Sequence, residues 1–147
     1  VFASGGNEIV SAAKALKKKK LLGFLADQDG YIHGLPVPFL GQPSSAVVGP
    51  ATFAKKFGSP VVPIFASRKP EGGHIVHILP PLHYNNSGDD DVDMYTLTEE
   101  CVRVTEDFIR EHPDEWIWFQ HRWMTKMSEI VDYDKKLEIR ERAHEKQ

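Results

Sequence analysis

Two short apolar runs, separated by a segment rich in glycine and proline, constrain the fold of this chain most. The first run, residues 21–26, ends at Asp27, and the second, residues 61–65, leads to Arg68. Near-continuous apolar runs of this length are typical of strands buried on both faces of a sheet. The glycines and prolines between positions 34 and 43 leave room for only a short extended piece. The pattern predicts an α/β protein with polar residues at the carboxyl ends of its strands.

Helical patterns accompany both predicted strands. Apolar residues at helical spacing predict a helix over residues 8–20, and Pro50 with a Gly58 stop predicts a second over residues 48–57. Gly72-Gly73 separates the second strand from a third at residues 75–79, which predicts an antiparallel hairpin. We therefore expect part of a three-layer α/β sandwich, with a mixed, mostly parallel sheet flanked by helices and a C-terminal helical extension.

The second half of the chain is predicted to be mainly helical. Residues 96–99, Thr-Leu-Thr-Glu, match a capping box and start an apolar stripe that runs to about residue 111. The acidic loop before it, residues 85–93, lacks the spacing of a calcium-binding loop. From residue 127 onward the chain is charged and predicts an exposed helical tail. We expect residues 1–126 to form one domain and residues 127–147 to form the tail.

Composition excludes several classes of function. The chain has 147 residues, 41% of them hydrophobic, and a formal net charge of −3, which predicts one moderate core and no general attraction to nucleic acid. The lone Cys101 excludes an internal disulfide and a cysteine-based zinc site. No apolar run approaches the roughly 20 residues that span a bilayer. The lysine run at residues 17–20 fits either a solvated helix end or contact with an anionic membrane or phosphate.

Few polar groups are placed for chemistry. Asp27 and Gln28 follow the first strand and Arg68 follows the second, so parallel strands would bring them to one edge of the sheet. Asp27 fits a turn hydrogen bond as well as a substrate contact, and Arg68 fits an ion pair as well as an anion clamp. His121 and Arg122, set among three Trp residues, fit cation-π packing or a substrate or lipid contact. The histidines show no metal-ligand spacing, and we expect no metal or cofactor.

Several short motifs become recognisable when they are taken in order. They are Asp27-Gln28, Pro38-Phe39-Leu40-Gly41, Gly49-Pro50-Ala51, Pro60-Val61-Val62-Pro63-Ile64 and Trp116-x-Trp118-x-x-His121-Arg122-Trp123. This order resembles the lipid A biosynthesis acyltransferases, the lauroyl and myristoyl transferases of the lysophospholipid acyltransferase superfamily. The resemblance covers about residues 21–126.

The resemblance implies a membrane-associated enzyme that transfers a fatty acyl chain from acyl carrier protein, or acyl-CoA, to a glycolipid hydroxyl, as in lipid A and lipopolysaccharide biosynthesis. It further implies a location at the cytoplasmic face of the bacterial inner membrane. In the family a His followed five positions later by Asp or Glu deprotonates the acceptor hydroxyl. No His in this sequence has that partner. We therefore expect the catalytic dyad upstream of Val1, no catalytic residue in this chain, and no activity from the chain alone.

The resemblance also implies a set of substrate-binding positions, in which Asp27 matches an acidic motif position of the family. The expected set is Asp27, Gln28, Phe39, Gly41, Arg68, His121, Arg122 and Trp123. Two other readings stay open. The chain could be a non-catalytic lipid-binding or interaction module with the same fold, or a self-sufficient hydrolase that uses one of its own histidines. The expected partners are acyl carrier protein, a glycolipid acceptor and a membrane surface, with no nucleic acid.

Overall fold

The computed structural model describes residues 8–145 and contains four α-helices and four short strands. Two single-turn 3-10 helices, Tyr31–His33 and Met127–Glu129, connect them. In chain order the elements are α1 (Glu8–Lys17), β1 (Leu35–Pro36), β2 (Ser45–Ala46), α2 (Gly49–Phe57), β3 (Ile64–Arg68), β4 (His74–Ile78), α3 (Asp90–Glu111) and α4 (Tyr133–Glu145). The fold is mixed α/β.

The sheets differ from the expected mostly parallel sandwich. Within residues 8–145 the strands form two separate two-stranded antiparallel sheets, β1 with β2 and β3 with β4. The predicted hairpin is confirmed, since Ile64 pairs with Ile78 and Arg68 pairs with His74. Residues 21–26, predicted as a buried strand, form no strand, because no neighbouring segment supplies a hydrogen-bond ladder. Leu21 is fully exposed and Leu25 is 71% exposed.

The long helix α3 organises the interior. Its Leu97 and Cys101, four residues apart, pack with Ala51 and Ala54 of α2 in one buried cluster. A second face of α3 carries Val92, Tyr95, Val102 and Ile109 into the main core, together with residues of β1, β2 and α4. Phe108 stacks on Phe65 of β3, with ring centroids 4.5 Å apart. One helix therefore holds α2, the small sheet, α4 and the hairpin in place.

The start of α3 differs from the predicted capping box. The helix begins six residues earlier than residue 96, and the Asp89 carboxylate caps it by accepting a hydrogen bond from Val92 N at 3.2 Å. Three further acidic residues follow in the first turn, where they stabilise the positive end of the helix dipole. The acidic loop of the sequence is thus mainly a helix start, because Asp is a stronger N-cap than Thr.

The C-terminal segment is helical, as predicted, but it is not exposed along its whole length. Ile139 and Ala143 of α4 are buried in the main core. Lys136 donates to Gly34 O at 3.0 Å, and Arg142 pairs with Asp89 at 3.0 Å. Burial lowers the pKa of Lys136, which Asp132 partly opposes. This helix therefore packs on the rest of the molecule although its sequence is highly charged.

Candidate functional site

Asp27 lies at the end of the first apolar run, and two side chains of a distant loop bind its carboxylate. Trp116 Nε1 donates to Asp27 Oδ2 at 3.1 Å, and Gln120 Nε2 donates to the same oxygen at 3.2 Å. Both donors lie in the loop that follows α3. Among residues 8–145 no donor binds Oδ1 of Asp27. The carboxylate is thus fixed in orientation and keeps one oxygen able to accept a further hydrogen bond.

Arg68 ends β3 and reaches the same loop. Its Nε donates to Glu115 Oε2 at 3.0 Å, its backbone N donates to Glu115 Oε1 at 2.8 Å, and its Nη2 donates to Asp114 O at 3.1 Å. The Arg68 side chain is 61% exposed, so this ion pair contributes little to stability. Asp27 and Arg68 belong to no common sheet, contrary to expectation. Their partners are nevertheless the consecutive residues Trp116 and Glu115.

An apolar groove of about 1000 Å³ is lined in part by this loop. Asp27, Glu115 and Trp116 line it together with Lys19 and Lys20. Its apolar lining comes from residues 21–26, from one side of α2, from residues 60–66 and from one side of α3. The predicted strand of residues 21–26 therefore lines a groove, and its apolar side chains are available to an occupant.

Three aromatic rings form a cluster beside Asp27. Phe39 is buried, and its ring centroid lies 5.4 Å from that of Trp116 and 5.8 Å from that of Trp123. The guanidinium carbon of Arg122 lies 4.5 Å from the Phe39 centroid. This is the cation-π packing that the sequence left open for Arg122.

Arg122 itself is almost completely buried, at 1% exposure. Its Nη1 donates to Ser45 O at 2.8 Å, whereas its Nε and Nη2 have no hydrogen-bond partner within the described part of the chain. Burial lowers the pKa of Arg122, and the carboxylates of Asp29, Asp27 and Glu106 oppose that shift. The nearby carboxylates therefore hold the guanidinium charged inside the fold.

The other expected substrate-binding residues form no hydrogen bond with this cluster within residues 8–145. Gln28 and His121 are exposed and make no side-chain hydrogen bond within residues 8–145. Gly41 is exposed in a tight turn, where its φ of +77° suits glycine. The turn is closed by two hydrogen bonds between Phe39 and Gln42. The structure thus brings together Asp27, Phe39, Arg122 and Trp123, and places Arg68 next to their loop.

Asp29 is a buried carboxylate that the sequence analysis did not single out. It is 6% exposed and accepts hydrogen bonds from Tyr31 N at 2.7 Å, Thr125 N at 3.0 Å and Thr125 Oγ1 at 2.6 Å. Its contacts join the end of the first apolar run to residues nearly one hundred positions later. The sequence did contain a signal for Asp29, because it lies two positions after Asp27 in Asp27-Gln28-Asp29 and directly follows the same apolar run.

The histidines do not assemble a metal site. Within residues 8–145 no group of three His, Cys, Asp or Glu side chains could hold a metal ion. His77 shares a hydrogen bond of 2.8 Å with Ser67 Oγ and packs against Phe108, whereas His74 is exposed. His74 and His77 are three positions apart in β4, so their side chains point to opposite faces of that strand.

Of the helices in the described part of the chain, none combines the length and the apolar character that a membrane crossing requires.

Comparison with known proteins identifies the family. The family model described as bacterial lipid A biosynthesis acyltransferase matches residues 2–125. A phosphatidylinositol mannoside acyltransferase of Mycobacterium tuberculosis strain H37Rv is 25% identical over 130 residues, which cover 86% of this chain and 39% of that protein. The enzyme of the same name from strain CDC 1551 is 25% identical over 114 residues, which cover 78% of this chain and 34% of that protein. This chain belongs to the bacterial lipid A biosynthesis acyltransferase family.

Proposed function

We propose that this chain forms the substrate-facing part of an acyltransferase that moves a fatty acyl group to a hydroxyl of a glycolipid. Family membership supports acyl transfer as the reaction. The two relatives are named for a mannosylated phosphatidylinositol, which supports a glycolipid acceptor. The acyl donor in this proposal is acyl carrier protein, with acyl-CoA as the alternative.

The observation that carries the proposal is the fixed carboxylate of Asp27 in the lining of the apolar groove. Trp116 and Gln120 bind one of its oxygens, and the other oxygen is available to accept from a sugar hydroxyl. A carboxylate held in one orientation positions an acceptor hydroxyl better than a mobile one, because its orientation is set before the acceptor binds. Asp27 has the role of a binding residue here.

The base that deprotonates the acceptor hydroxyl belongs, in this proposal, to polypeptide outside the 147 residues. No His in the sequence has an acidic residue five positions later. The chain spans 39% and 34% of the length of the two relatives, so those proteins have further polypeptide that could contribute such a dyad. The isolated chain is therefore proposed to bind substrate groups without turnover.

A membrane surface is the proposed location, at the cytoplasmic face of the inner membrane. Four consecutive lysines at positions 17–20 are exposed and are followed directly by the fully exposed Leu21. Lysines beside exposed apolar residues favour binding to anionic lipid headgroups, at about 1 kcal/mol per charge near the surface. Lys19 and Lys20 also line the groove, which would bring its mouth close to the lipid.

A non-catalytic lipid-binding module is the second candidate. The large apolar groove favours it, because a groove of about 1000 Å³ could hold lipid without any chemistry. Acyl transfer activity distinguishes the acyltransferase from the non-catalytic module.

The test is acyl transfer in membranes from cells that express the full-length gene containing the coding sequence of these 147 residues. Radiolabelled palmitoyl-acyl carrier protein and palmitoyl-CoA are the donors, and a phosphatidylinositol mannoside and a lipid A precursor are the acceptors. Asp27→Asn is expected to lower kcat/KM for the acceptor about tenfold to a hundredfold. This corresponds to a loss of about 1.4 to 2.7 kcal/mol in transition-state stabilisation. The matched control is Asp134→Asn, an exposed carboxylate on α4.

Unchanged transfer by the Asp27→Asn variant would remove Asp27 from the acceptor site. Absence of transfer with every donor and acceptor, combined with palmitate binding to the purified chain, would support the non-catalytic module instead.

A further inference from the structure

One edge of β3 is paired with β4, whereas the other edge has no strand partner within residues 8–145. Within the described residues β3 pairs only with β4. The ladder uses the odd-numbered residues of β3, as shown by Leu79 N donating to Pro63 O at 3.0 Å and Lys69 N donating to Gly73 O at 3.0 Å. Because backbone groups alternate in direction along an antiparallel strand, those of the even-numbered residues face away from β4.

The even-numbered backbone groups form an unpaired strand edge. Arg68, the last of them, donates its N–H to the Glu115 carboxylate, which confirms the direction in which this edge points. Over residues 8–145, no hydrogen bond reaches the backbone of Ile64 or Ala66 from outside the hairpin. Two N–H donors and two carbonyl acceptors thus face the groove in the register of a missing strand.

The surroundings of this edge are apolar. Ile64 is 59% exposed and Val62 is 43% exposed, and residues 60–67 carry no charged side chain. Exposed strand edges in natural proteins are usually protected by lysine, by a bulge or by a cover, because they otherwise pair with other chains. The groove that this edge lines also contains residues 21–26, a second strand-like segment without a strand partner.

We propose that the groove receives one extended segment of the acyltransferase's own polypeptide, from the part of the enzyme outside the matched length, and that this segment pairs with the Ile64–Ala66 edge of β3. The proposal rests on the proposed function, in which the active enzyme contains more polypeptide than this chain. The two relatives have that polypeptide, since the matches cover 39% and 34% of their length.

The edge favours a peptide over the other possible occupants. A fatty acyl chain would fill the apolar volume but would leave the backbone groups of Ile64 and Ala66 without partners. A second copy could pair with this edge through its own β3, but its folded body could not also fill a groove of about 1000 Å³. An extended segment satisfies both conditions, because its backbone pairs with the edge about 4.8 Å away and its alternate side chains contact the apolar lining.

Pairing at this edge has a consequence for the site. The edge ends at Arg68, which donates to Glu115. The next residue of that loop, Trp116, donates to Asp27. A strand docked parallel to β3 would therefore deliver the residues that follow it to the loop that holds Asp27. The segment would complete the site as well as cover the groove.

The test uses the purified chain and overlapping 12-residue peptides from the portion of the H37Rv phosphatidylinositol mannoside acyltransferase outside the match. Peptides from the matched portion are the negative set. We expect at least one alternately apolar peptide to bind and to slow hydrogen exchange at the Ile64 and Ala66 amides about tenfold or more. N-methylation of the peptide amides that face β3 should weaken binding about tenfold, as expected for losing one or two backbone hydrogen bonds.

A pair of substitutions across the hairpin provides the matched control. Ala66→Lys places a charge on the free edge, whereas Val76→Lys places the same charge on the directly opposite residue of β4, which does not line the groove. We expect Ala66→Lys to weaken peptide binding about tenfold and Val76→Lys to leave it unchanged, with both variants folded by circular dichroism.

Three outcomes would overturn the proposal. They are no protection of the two amides by any peptide, equal binding of the N-methylated peptide, and palmitate displacing the peptide while protecting the same groove. Concentration-dependent self-association that protects these amides without peptide would assign the edge to a second copy. The Asp27→Asn transfer assay is independent of these results, so failure here leaves the proposed acyl transfer to be judged separately.

Discussion

Asp27 and Arg68 are bound by neighbouring residues of one loop, Trp116 and Glu115 respectively. The two residues follow different apolar runs and are 41 positions apart, yet the loop after α3 fixes both. This loop begins where α3 ends, at His112, so the long helix determines its position. The Asp27 carboxylate, the Arg68 guanidinium and part of the groove lining are therefore all positioned by the loop after α3.

The Asp27 and Trp116 hydrogen bond is expected to stabilise the loop measurably. Trp116→Phe removes the indole donor but keeps a ring beside Phe39, and Asp27→Ala removes the acceptor. A double-mutant cycle measured by urea denaturation should give a coupling free energy of about 1 to 2 kcal/mol, because the acceptor is charged and half-buried. Strictly additive free energies would show that the hydrogen bond contributes nothing to folding.

Asp29 should matter more for stability than Asp27. Its carboxylate is buried and accepts three hydrogen bonds, two of them from Thr125. Asp29→Ala leaves the two buried Thr125 donors and the partly buried Tyr31 N–H without a partner, so we expect a loss of about 3 kcal/mol or more in the free energy of unfolding. Thr125→Val tests one of the three hydrogen bonds and should cost about 1 to 2 kcal/mol, measured by thermal and urea denaturation. A loss below 1 kcal/mol for Asp29→Ala would contradict this role.

The local parts of the fold could be predicted from the sequence. The helix ending at Gly58, the hairpin at Gly72-Gly73 and the helical C-terminal segment depend on short-range signals, and all three are observed. The prediction of a mostly parallel sheet was wrong, because an apolar run becomes a strand only if another segment supplies hydrogen bonds. Residues 21–26 have no such neighbour within the described chain.

The candidate site shows the same division between local and distant signals. Asp27 could be proposed because it follows an apolar run. Its partners Trp116 and Gln120 could not, because they lie 89 and 93 positions away in the sequence. The burial of Ile139 and Ala143 was missed for a related reason, since only two apolar positions of a highly charged helix enter the core.

Arg122 provides a third prediction, on a buried charge. Arg122→Met keeps the packing over Phe39 but removes a cation that lies near Asp27, Asp29 and Glu106. Asp27 and Asp29 lose a compensating charge inside the fold, so we expect destabilisation of about 3 kcal/mol by urea denaturation. Arg103→Met is the matched control, because Arg103 is exposed and pairs with Asp107, whose side chain is also exposed. Equal effects of the two substitutions would contradict a buried role for Arg122.

Cys101 provides the last prediction, on the dependence of stability on pH. Burial, aided by Glu100, raises the pKa of the Cys101 thiol from 9.0 to about 11. Between these values the unfolded thiol loses its proton while the folded thiol keeps it, so the native state binds more protons and stability falls as pH rises. The full effect on the free energy of unfolding above pH 11 is about 2 to 3 kcal/mol.

Cys101→Ala should flatten the decline in the free energy of unfolding, measured with urea, from pH 9 to 11. A thiol reagent should label Cys101 only as the chain unfolds. Because the pKa of Tyr95 is also raised by burial, Tyr95→Phe is the control that separates the two contributions. Rapid labelling of the folded chain at pH 8, or an unchanged decline in the alanine variant, would contradict the burial of this thiol.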